Sequence, residues 1–210
     1  MDLEEQAMQK IDNFDKVQAA SGQQDELEPG GYLCKIMGAK VVTYHGQSGD
    51  FDKLEVSIDI DEGDFKGYYA EDYRAQAQWG HDQKWKGILR LYAPTNGDDK
   101  QSKHSQSVFK AFTDAVEASN PGYKWNWDEA TLKGKKVGVM FRSEEYDFKG
   151  YHGWKTRPFK AESTDYIKSG KFEVPKPKAL KKGHEESKAP YPNNSPDKFS
   201  EVPADDDLPF

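Results

Sequence analysis

A short stretch in the second half of the chain interleaves aromatic rings with cationic side chains. Between Tyr146 and Arg157, aromatic residues alternate with lysine and arginine, and glycines separate them. The bases of a single-stranded nucleic acid stack on exposed rings, and lysine or arginine holds its phosphates. Glycines let the backbone bend around such a strand. The pattern therefore predicts nucleic-acid contacts from six residues: Phe148, Lys149, Tyr151, Trp154, Lys155 and Arg157.

A second stretch, which leads into the apolar run Ile88–Tyr92, carries the same mixture of rings and cations. Each ring that stacks on a base contributes roughly 1–3 kcal/mol, so three or four rings can outweigh the electrostatic cost for an acidic protein at moderate salt. This second group comprises Trp79, Lys84, Trp85, Lys86, Arg90 and Tyr92, and we place Tyr44 and His45 in a third group.

The same residue types also have a structural interpretation. Rings on strands commonly belong to the core. Trp125 and Trp127 flank the polar Asn126, and we expect both to pack against the body of the protein. A single surface cation is commonly only solvated, so the prediction of binding depends on the groups and not on any one member.

The chain ends in three carboxylates followed by an apolar tripeptide, Asp205-Asp206-Asp207-Leu208-Pro209-Phe210. A shallow pocket with a basic rim could hold the terminal ring and the terminal carboxylate together. This tip resembles the acidic C-terminal tip of bacterial and phage single-stranded-DNA-binding proteins. The resemblance implies that residues 205–210 recruit replication, recombination or repair enzymes. An ordinary solvated acidic tail is the alternative interpretation.

The charge distribution is compatible with DNA binding despite a net charge of -7. Residues 1–28 hold eight acids against two lysines, which gives -6. Residues 131–172 hold ten lysines or arginines against five acids, which gives +5, and residues 74–110 hold seven against three, which gives +4. Two basic segments therefore lie between acidic ends, and such local excess attracts phosphates.

Composition excludes several classes of site. The single cysteine, Cys34, rules out a disulfide framework and a cysteine-based zinc cage, and the five histidines have no metal-ligand spacing. We predict no catalytic residue, metal or cofactor. No apolar stretch approaches the length of a membrane span, and the acidic start is unlike a signal peptide. We expect a cytoplasmic protein, and the resemblance implies a bacterial host cell and a phage or mobile-element gene.

Apolar spacing predicts a short amphipathic helix between residues 2 and 20, within an N-terminal segment that we bound at 1–28. We expect its apolar stripe to pack on its own domain, while self-association or a partner interface is the alternative. The residues of the stripe are Leu3, Ala7, Ile11, Phe14 and Val17.

Period-two alternation predicts strands in the domain that follows. Leu54, Val56, Ile58 and Ile60 alternate with polar residues, which indicates a strand with one buried face. A curved first strand is expected over Tyr32–Tyr44 with a bend or bulge at Gly38, and a third strand over Ile88–Tyr92. The ring-rich segment from Tyr68 to Trp85 gives no clear prediction.

A helix and two more strands complete the predicted domain. Val108, Phe112 and Val116 recur at four-residue spacing, with Phe109 and Ala115 alongside. Ser105 is the expected N-cap, and Asn120-Pro121-Gly122 the stop. Strands are then expected over residues 137–141 and 154–161, joined by a loop at 146–153.

Three strands, a helix and two strands are the order of an OB-fold, which binds oligonucleotides on its strand 2 and 3 face and with its 1–2 and 4–5 loops. We predict a mainly β fold with one central helix, an OB-fold-like five-stranded barrel at 29–172, with 146–157 as the 4–5 loop. The segment Leu132–Val139 resembles the start of the fourth strand in small phage and mobile-element single-stranded-DNA-binding proteins.

From residue 173 to 204 the chain is rich in proline, lysine and small polar residues, which is typical of a disordered tether. The tether would raise the local concentration of whatever the tip at 205–210 captures. The lysines of the tether could touch DNA, or hold the tip when DNA is absent. Tip and DNA would then compete for one basic surface. These lysines are Lys176, Lys178, Lys181 and Lys182.

Two other functions remain as alternatives. A two-metal nuclease would need converging carboxylates, but Asp59 and Asp61 are expected on the solvent side of a strand or its turn, without a nuclease signature. A protein-binding adaptor would use the tip and the N-terminal helix without touching DNA. We predict a non-catalytic, homo-oligomeric protein that coats single-stranded DNA with little sequence specificity during replication, recombination or repair. The carboxylates considered for the nuclease are Asp59, Asp61, Asp64, Glu71 and Asp72.

Overall fold

A five-stranded antiparallel sheet dominates the protein, as the predicted mainly β class requires. A computed structural model describes residues 26–46, 49–78, 82–148 and 150–180, together with Asp12. The strands follow the order β3-β2-β1-β4-β5 across the sheet. Their bounds are β1 Gly30–Gly46, β2 Gly49–Ile60, β3 Ile88–Tyr92, β4 Lys136–Phe148 and β5 Tyr151–Glu162.

The two edge strands, β3 and β5, approach each other to Cα separations within 8 Å, but no hydrogen-bonded ladder joins them. The described sheet is therefore strongly curved and open. In the described ranges, no helix is both long and apolar enough to cross a bilayer. Among the described residues, three α-helices accompany the sheet: α1 Tyr68–Gln78, α2 Lys100–Ser119 and α3 Thr164–Lys168.

The predicted alternation of β2 is confirmed. Leu54, Val56, Ile58 and Ile60 are all almost fully buried and form the centre of the core. The irregularity predicted in β1 is also confirmed, because the pairing with β2 shifts between Ile36 and Gly38. A bulge at this point increases the local bend of the strand. β1 pairs with β4 from Gly30 to Lys35 and with β2 from Cys34 to Gly46.

The polar face of β2 differs from the prediction at Asp59. This side chain is not solvated but buried, and its Oδ1 accepts the backbone N–H groups of Ile60 and Tyr69, both at 3.0 Å. Tyr69 lies in the first turn of α1, the helix that the sequence did not reveal. A carboxylate at this end satisfies an otherwise unpaired N–H and favours the helix dipole. Asp59 therefore fixes α1 against the end of β2.

Helix α2 begins earlier than predicted. Asp99, not Ser105, is the N-cap, and its carboxylate accepts the N–H groups of Gln101 and Ser102. The predicted end at Asn120 is confirmed. Phe112, Val116 and the neighbouring Phe109 and Ala115 are buried as expected, while Val108 is exposed. The predicted apolar stripe of α2 therefore faces the core at four of its five positions.

The predicted loop at 146–153 is instead strand. β4 and β5 pair continuously to Phe148 and Tyr151, so they form one long hairpin. Gly150 lies in the two-residue connection with φ +82°, a conformation that glycine adopts without steric cost. The contacts predicted for a loop therefore lie on a two-stranded ribbon.

Part of the segment expected to be a tether lies against the sheet. Lys178 forms a parallel bridge to Glu144, and its N–H donates to the carbonyl of Ser143 at 2.9 Å. This bridge lies on the edge of β4 that β1 leaves unpaired. The predicted N-terminal helix, the tether beyond residue 180 and the tip at 205–210 lie outside the described residues.

Replacing Asp59 with alanine should lower the free energy of unfolding by about 2 kcal/mol, because two buried N–H groups would lose their acceptor. Urea denaturation of Asp59→Ala measures this effect. Asp61→Ala is the control, since Asp61 makes only a 3.5 Å surface ion pair with Lys136, and it should change stability by about 0.5 kcal/mol or less. Equal stability of the two variants would contradict the capping role.

Candidate nucleic-acid interface

Three strands present aromatic rings on the outer face of the sheet. Because Leu54 faces the core, the alternate positions Phe51 and Lys53 face outward. The β1–β2 register places Tyr44 opposite Phe51, and the β2–β3 register places Tyr92 opposite Lys53. Residues directly opposite each other in a sheet share a face. We call Tyr44, Phe51, Lys53 and Tyr92 the ring ladder.

The members of the ring ladder are in contact. The rings of Tyr44 and Phe51 are nearly parallel, at 8° with centroids 5.6 Å apart, and Tyr92 is 5.5 Å from Phe51. The Lys53 ammonium lies 4.6 Å from the ring centroid of Tyr92 and 5.1 Å from that of Tyr44. Cation–π attraction at such distances holds a positive charge among the rings. The ladder thus combines stacking surfaces with a cation.

A buried carboxylate fixes this arrangement from one side. Glu55 Oε1 accepts the Tyr44 hydroxyl at 2.6 Å and the Arg90 Nε–H at 2.9 Å. Burial raises the pKa of Glu55, but the Tyr44 hydrogen bond and the Arg90 charge outweigh it, so the pKa is lowered. Arg90, predicted to hold phosphate, is half-buried and directed at Glu55. In the described structure it therefore positions Tyr44 and stabilises the β2–β3 pair.

The β4–β5 hairpin divides the first predicted group between two faces. The register places Tyr151 opposite Phe148 and Lys155 opposite Glu144 on one face, with Arg157 farther along it. Trp154 pairs with Glu145 and so lies on the other face. Tyr151 is 74% exposed, Phe148 52% and Trp154 50%. These rings are not covered by the core and are accessible to a ligand.

Tyr146 belongs to the same face as Phe148 and lies across Gly153. A Cβ built at Gly153 would come within 2.8 Å of the Tyr146 hydroxyl oxygen and 3.0 Å of its ring carbons. The absence of a side chain at Gly153 is therefore what lets the ring lie flat on the neighbouring strand. The face carries three rings in succession: Tyr146, Phe148 and Tyr151.

Cations predicted in separate groups meet where β5 approaches β3. Partial desolvation and repulsion by the charges of Lys86 and Arg157 lower the pKa of Lys155, while Asp72 opposes this effect. The Lys86 ammonium pairs with the Asp72 carboxylate at 2.8 Å. Arg157 Nε lies 3.9 Å from Glu144 Oε2, which is a long ion pair. We call Lys86, Lys155 and Arg157 the seam cluster. A bound anion would relieve its mutual repulsion.

Other predicted residues have structural contacts. Trp85 packs against the core, and its indole N–H donates to the carbonyl of Ile58 at 3.0 Å. The backbone N–H of Lys84 donates to Gln76 of α1 at 2.7 Å. His45 lies 2.8 Å from Asp50 at the exposed 1–2 turn. Trp79 and Lys149 lie outside the described residues.

Phe51 and Lys53 were missing from the predicted site. Both occupy outward positions of β2, the strand whose alternation was clearest, so that alternation could have predicted that their side chains face away from the core. What the sequence lacks is the register, because only the pairing with β1 and β3 shows that Tyr44 and Tyr92 lie beside them.

The expectation that the paired tryptophans pack against the body is met fully by Trp125 and with one ring face by Trp127. Trp125 packs against the core. Trp127 stacks one face on Phe109 at 5.9 Å, yet it is 72% exposed. Its φ of +66° is unusual for a bulky residue. Trp127 thus covers Phe109 of α2 with one ring face and leaves the other face exposed.

The carboxylates considered for a nuclease have other contacts. Asp59 caps α1, Asp61 lies 3.5 Å from the Lys136 ammonium, and Asp72 pairs with Lys86. Within the described ranges, no three His, Cys, Asp or Glu side chains converge in a way that could hold a metal ion.

Comparison with known proteins finds neither a protein-family model nor a curated protein that matches this chain.

Replacing Glu55 with glutamine should lower the free energy of unfolding at pH 7 by about 1–3 kcal/mol, because the charged acceptor of Tyr44 and Arg90 is lost. The folded pKa lies below 4.5, so the charge stabilises the fold above pH 4.5 and this contribution disappears as pH falls through the folded pKa. Thermal unfolding of both proteins between pH 7 and pH 3 should show the difference shrinking below pH 4.5. A difference independent of pH would contradict this assignment.

Proposed function

We propose that the protein binds single-stranded DNA with little sequence specificity. The observation that carries this proposal is the ring ladder on strands β1–β3 together with the exposed rings of the β4–β5 hairpin. Rings stack on bases of any sequence, because every base has a π-face. Paired bases inside a duplex do not offer these faces, which favours the single strand as ligand.

The strand arrangement supports an OB-type fold. Three strands precede α2 and two follow it, and the two edge strands β3 and β5 approach each other. A five-stranded, partly open barrel of this kind binds oligonucleotides on its strand 2 and 3 face and with its 4–5 loop. The ring ladder and the hairpin rings lie on the corresponding elements.

The seam cluster supports a path between the two sets of rings. Lys86 precedes β3, next to the ladder strands, whereas Lys155 and Arg157 belong to the hairpin. Partial desolvation, together with the neighbouring charges of Lys86 and Arg157, lowers the pKa of Lys155. Phosphates bound there would neutralise this charge while neighbouring bases stack on either side. Binding should therefore be strongly salt-dependent despite the negative net charge.

The proposal extends to assembly and recruitment. The acidic tip at 205–210 would bind replication, recombination or repair enzymes, and the tether would keep them near the DNA. Several copies would coat one strand as a homo-oligomer. The sequence of the tip supports recruitment, and the rings and cations upstream support the grip on DNA.

The double substitution Phe148→Ala and Tyr151→Ala should weaken binding of labelled oligo-dT by tenfold or more, because two stacking surfaces are lost. Gel shifts with single-stranded and duplex DNA, combined with tryptophan fluorescence quenching, measure the affinity. Trp127→Ala is the matched control, since this exposed ring lies on α2 and should leave the affinity unchanged.

The wild-type protein should shift the single strand in preference to the duplex. No shift and no quenching at low salt would overturn the proposal and leave the protein-binding adaptor as the better explanation. Equal loss of affinity in the hairpin variant and in Trp127→Ala would show that the hairpin rings are not the binding surface.

Lys155→Met should reduce the slope of log affinity against log salt by about 0.7, the value for one phosphate contact on a single strand. It should also raise the thermal midpoint at pH 7, because the lowered pKa means that the folded state disfavours the protonated form of Lys155. For the wild type this penalty fades as pH rises toward 10.5. Lys66→Met, at an exposed lysine of the β2–α1 turn, is the control, and an unchanged slope for Lys155→Met would contradict phosphate contact.

A further inference from the structure

A pocket lies at the base of the β4–β5 hairpin, on the face of β4 that is turned away from the core. Val139 and Phe141 are buried in the core, so Met140 between them points to the opposite face. A cavity of about 480 Å³ opens there between β5, α3 and the segment that follows α3. Its volume is within the range of ligand pockets. We call it the base groove, and six of its lining residues are rings or lysines: Phe159, Lys160, Tyr166, Lys171, Phe172 and Lys176.

Two glycines of the sheet let the wall of the base groove lie close against the strands. A Cβ built at Gly31 would come within 2.8 Å of the Phe172 ring. A Cβ at Gly138 would come within 2.5 Å of Ile167 in α3. Beyond the groove, Lys178 bridges to β4 and holds the same segment at its other end. The wall is therefore fixed on both sides, and the groove is a preformed part of the fold.

An irregularity in the β4–β5 pairing turns two consecutive side chains of β5 toward the base groove. The register shifts between Met140 and Phe141, and Phe159 is the extra residue of this bulge. A bulge re-aims a side chain relative to the regular alternation of a strand. As a result both Phe159 and Lys160 line the groove. The Arg142 guanidinium lies 4.0 Å from the ring centroid of Phe159, which is still 39% exposed.

The base groove continues the face of the hairpin on which the exposed rings lie. Tyr151, Lys155 and Arg157 share this face, and Arg157 lies directly opposite Arg142, the residue that stacks on Phe159. From Tyr151 to Phe159 the strand spans about 26 Å. One ring, two cations and a second ring follow each other over this length. Rings that take bases and cations that take phosphates are the two elements that a single strand requires.

The unpaired charges of the base groove are positive. Its lining contains three lysines and two glutamates, which gives +1. Lys160 is paired with Glu162 at 2.6 Å. Across the described part of the chain, neither Lys171 nor Lys176 forms an ion pair. Tyr166 is 41% exposed. The groove therefore offers cations beside accessible rings to an anionic ligand that carries flat groups.

Given the proposed binding of single-stranded DNA, on which this inference rests, we propose that the base groove is a second subsite for the same strand. One base stacks on the open face of Phe159 and the next lies against Tyr166. The phosphates of these nucleotides lie at Lys171 and Lys176. The bound strand thus continues along β5 past Arg157 instead of ending at the hairpin rings. A short oligonucleotide occupies the ladder and the hairpin, and only a longer one also reaches the groove.

Oligo-dT of two lengths, about 5 and about 15 nucleotides, tests this subsite in the full-length protein, since one OB fold covers about 4–16 nucleotides. Phe159→Leu with Tyr166→Leu should weaken binding of the longer oligonucleotide about fivefold or more, because two stacking surfaces are lost. Binding of the shorter one should not change. Fluorescence anisotropy with labelled oligonucleotides measures both affinities.

Lys171→Gln with Lys176→Gln removes the cations and leaves the rings. For the longer oligonucleotide it should reduce the slope of log affinity against log salt by about 1.4, the value for two phosphate contacts on a single strand. The slope for the shorter one should stay the same. Lys66→Gln with Lys133→Gln is the matched control, because it removes the same charge from two exposed lysines that do not line the groove.

Amide NMR spectra of the ¹⁵N-labelled wild type locate the bound strand directly. The longer oligonucleotide should shift the amides of Tyr166 and residues 171–176, and the shorter one should not. If the longer oligonucleotide binds and leaves these amides unchanged, the subsite is wrong while the proposed function stands. If neither oligonucleotide binds, both are wrong.

An equal loss of affinity for the two lengths would also overturn the subsite, because the loss would then arise from the fold or from the hairpin. A slope change of the same size in the Lys66 and Lys133 control would overturn it as well, since net charge alone would account for the effect. If the ring variant does not give a folded spectrum, the salt slopes of the lysine variant and the wild-type amide shifts decide the question.

Discussion

The structure depends on the register of β2 between β1 and β3. A slip by one residue would exchange the core side chains of β2 for its outward ones. Two buried carboxylates on the outward side of β2 oppose such a slip. Glu55 accepts a hydrogen bond from Arg90, which lies opposite it on β3, and Asp59 accepts a backbone N–H from the first turn of α1. The same register brings Tyr44 and Tyr92 beside Phe51. One constraint therefore fixes both the core and the ring ladder.

Much of the sheet could be predicted, because alternation along one strand is a local property. Short local sequence patterns were enough to predict the alternation from Leu54 to Ile60, the bulge near Gly38 and the strand Ile88–Tyr92. Helix α1 could not be predicted in this way. Only Tyr69 of that helix is buried, and its N-terminal acceptor, Asp59, comes from another element. The N-cap of α2 was misplaced because Ser105 and Asp99 both suit that position chemically.

The candidate site was predictable as a collection of residue types and not as a surface. Alternation along the hairpin separates Trp154 from Phe148 and Tyr151, although the three are close in sequence. Conversely, Lys86 and Lys155 are far apart in sequence, and their charges interact because β5 approaches β3. Arg90 is a surface cation by sequence, yet its half-buried position opposite Glu55 makes it a structural partner.

The bridge at Lys178 has a consequence for how copies of this chain can meet. Past Phe141, β1 no longer pairs with β4, and an exposed row of N–H and C=O groups is a template on which another chain can add a strand. Lys178 takes up the N–H of Glu145 and the carbonyl of Ser143 on this row. The chain thereby shields its own open edge from unwanted strand addition, and a chain cut before Lys178 would lose that shield.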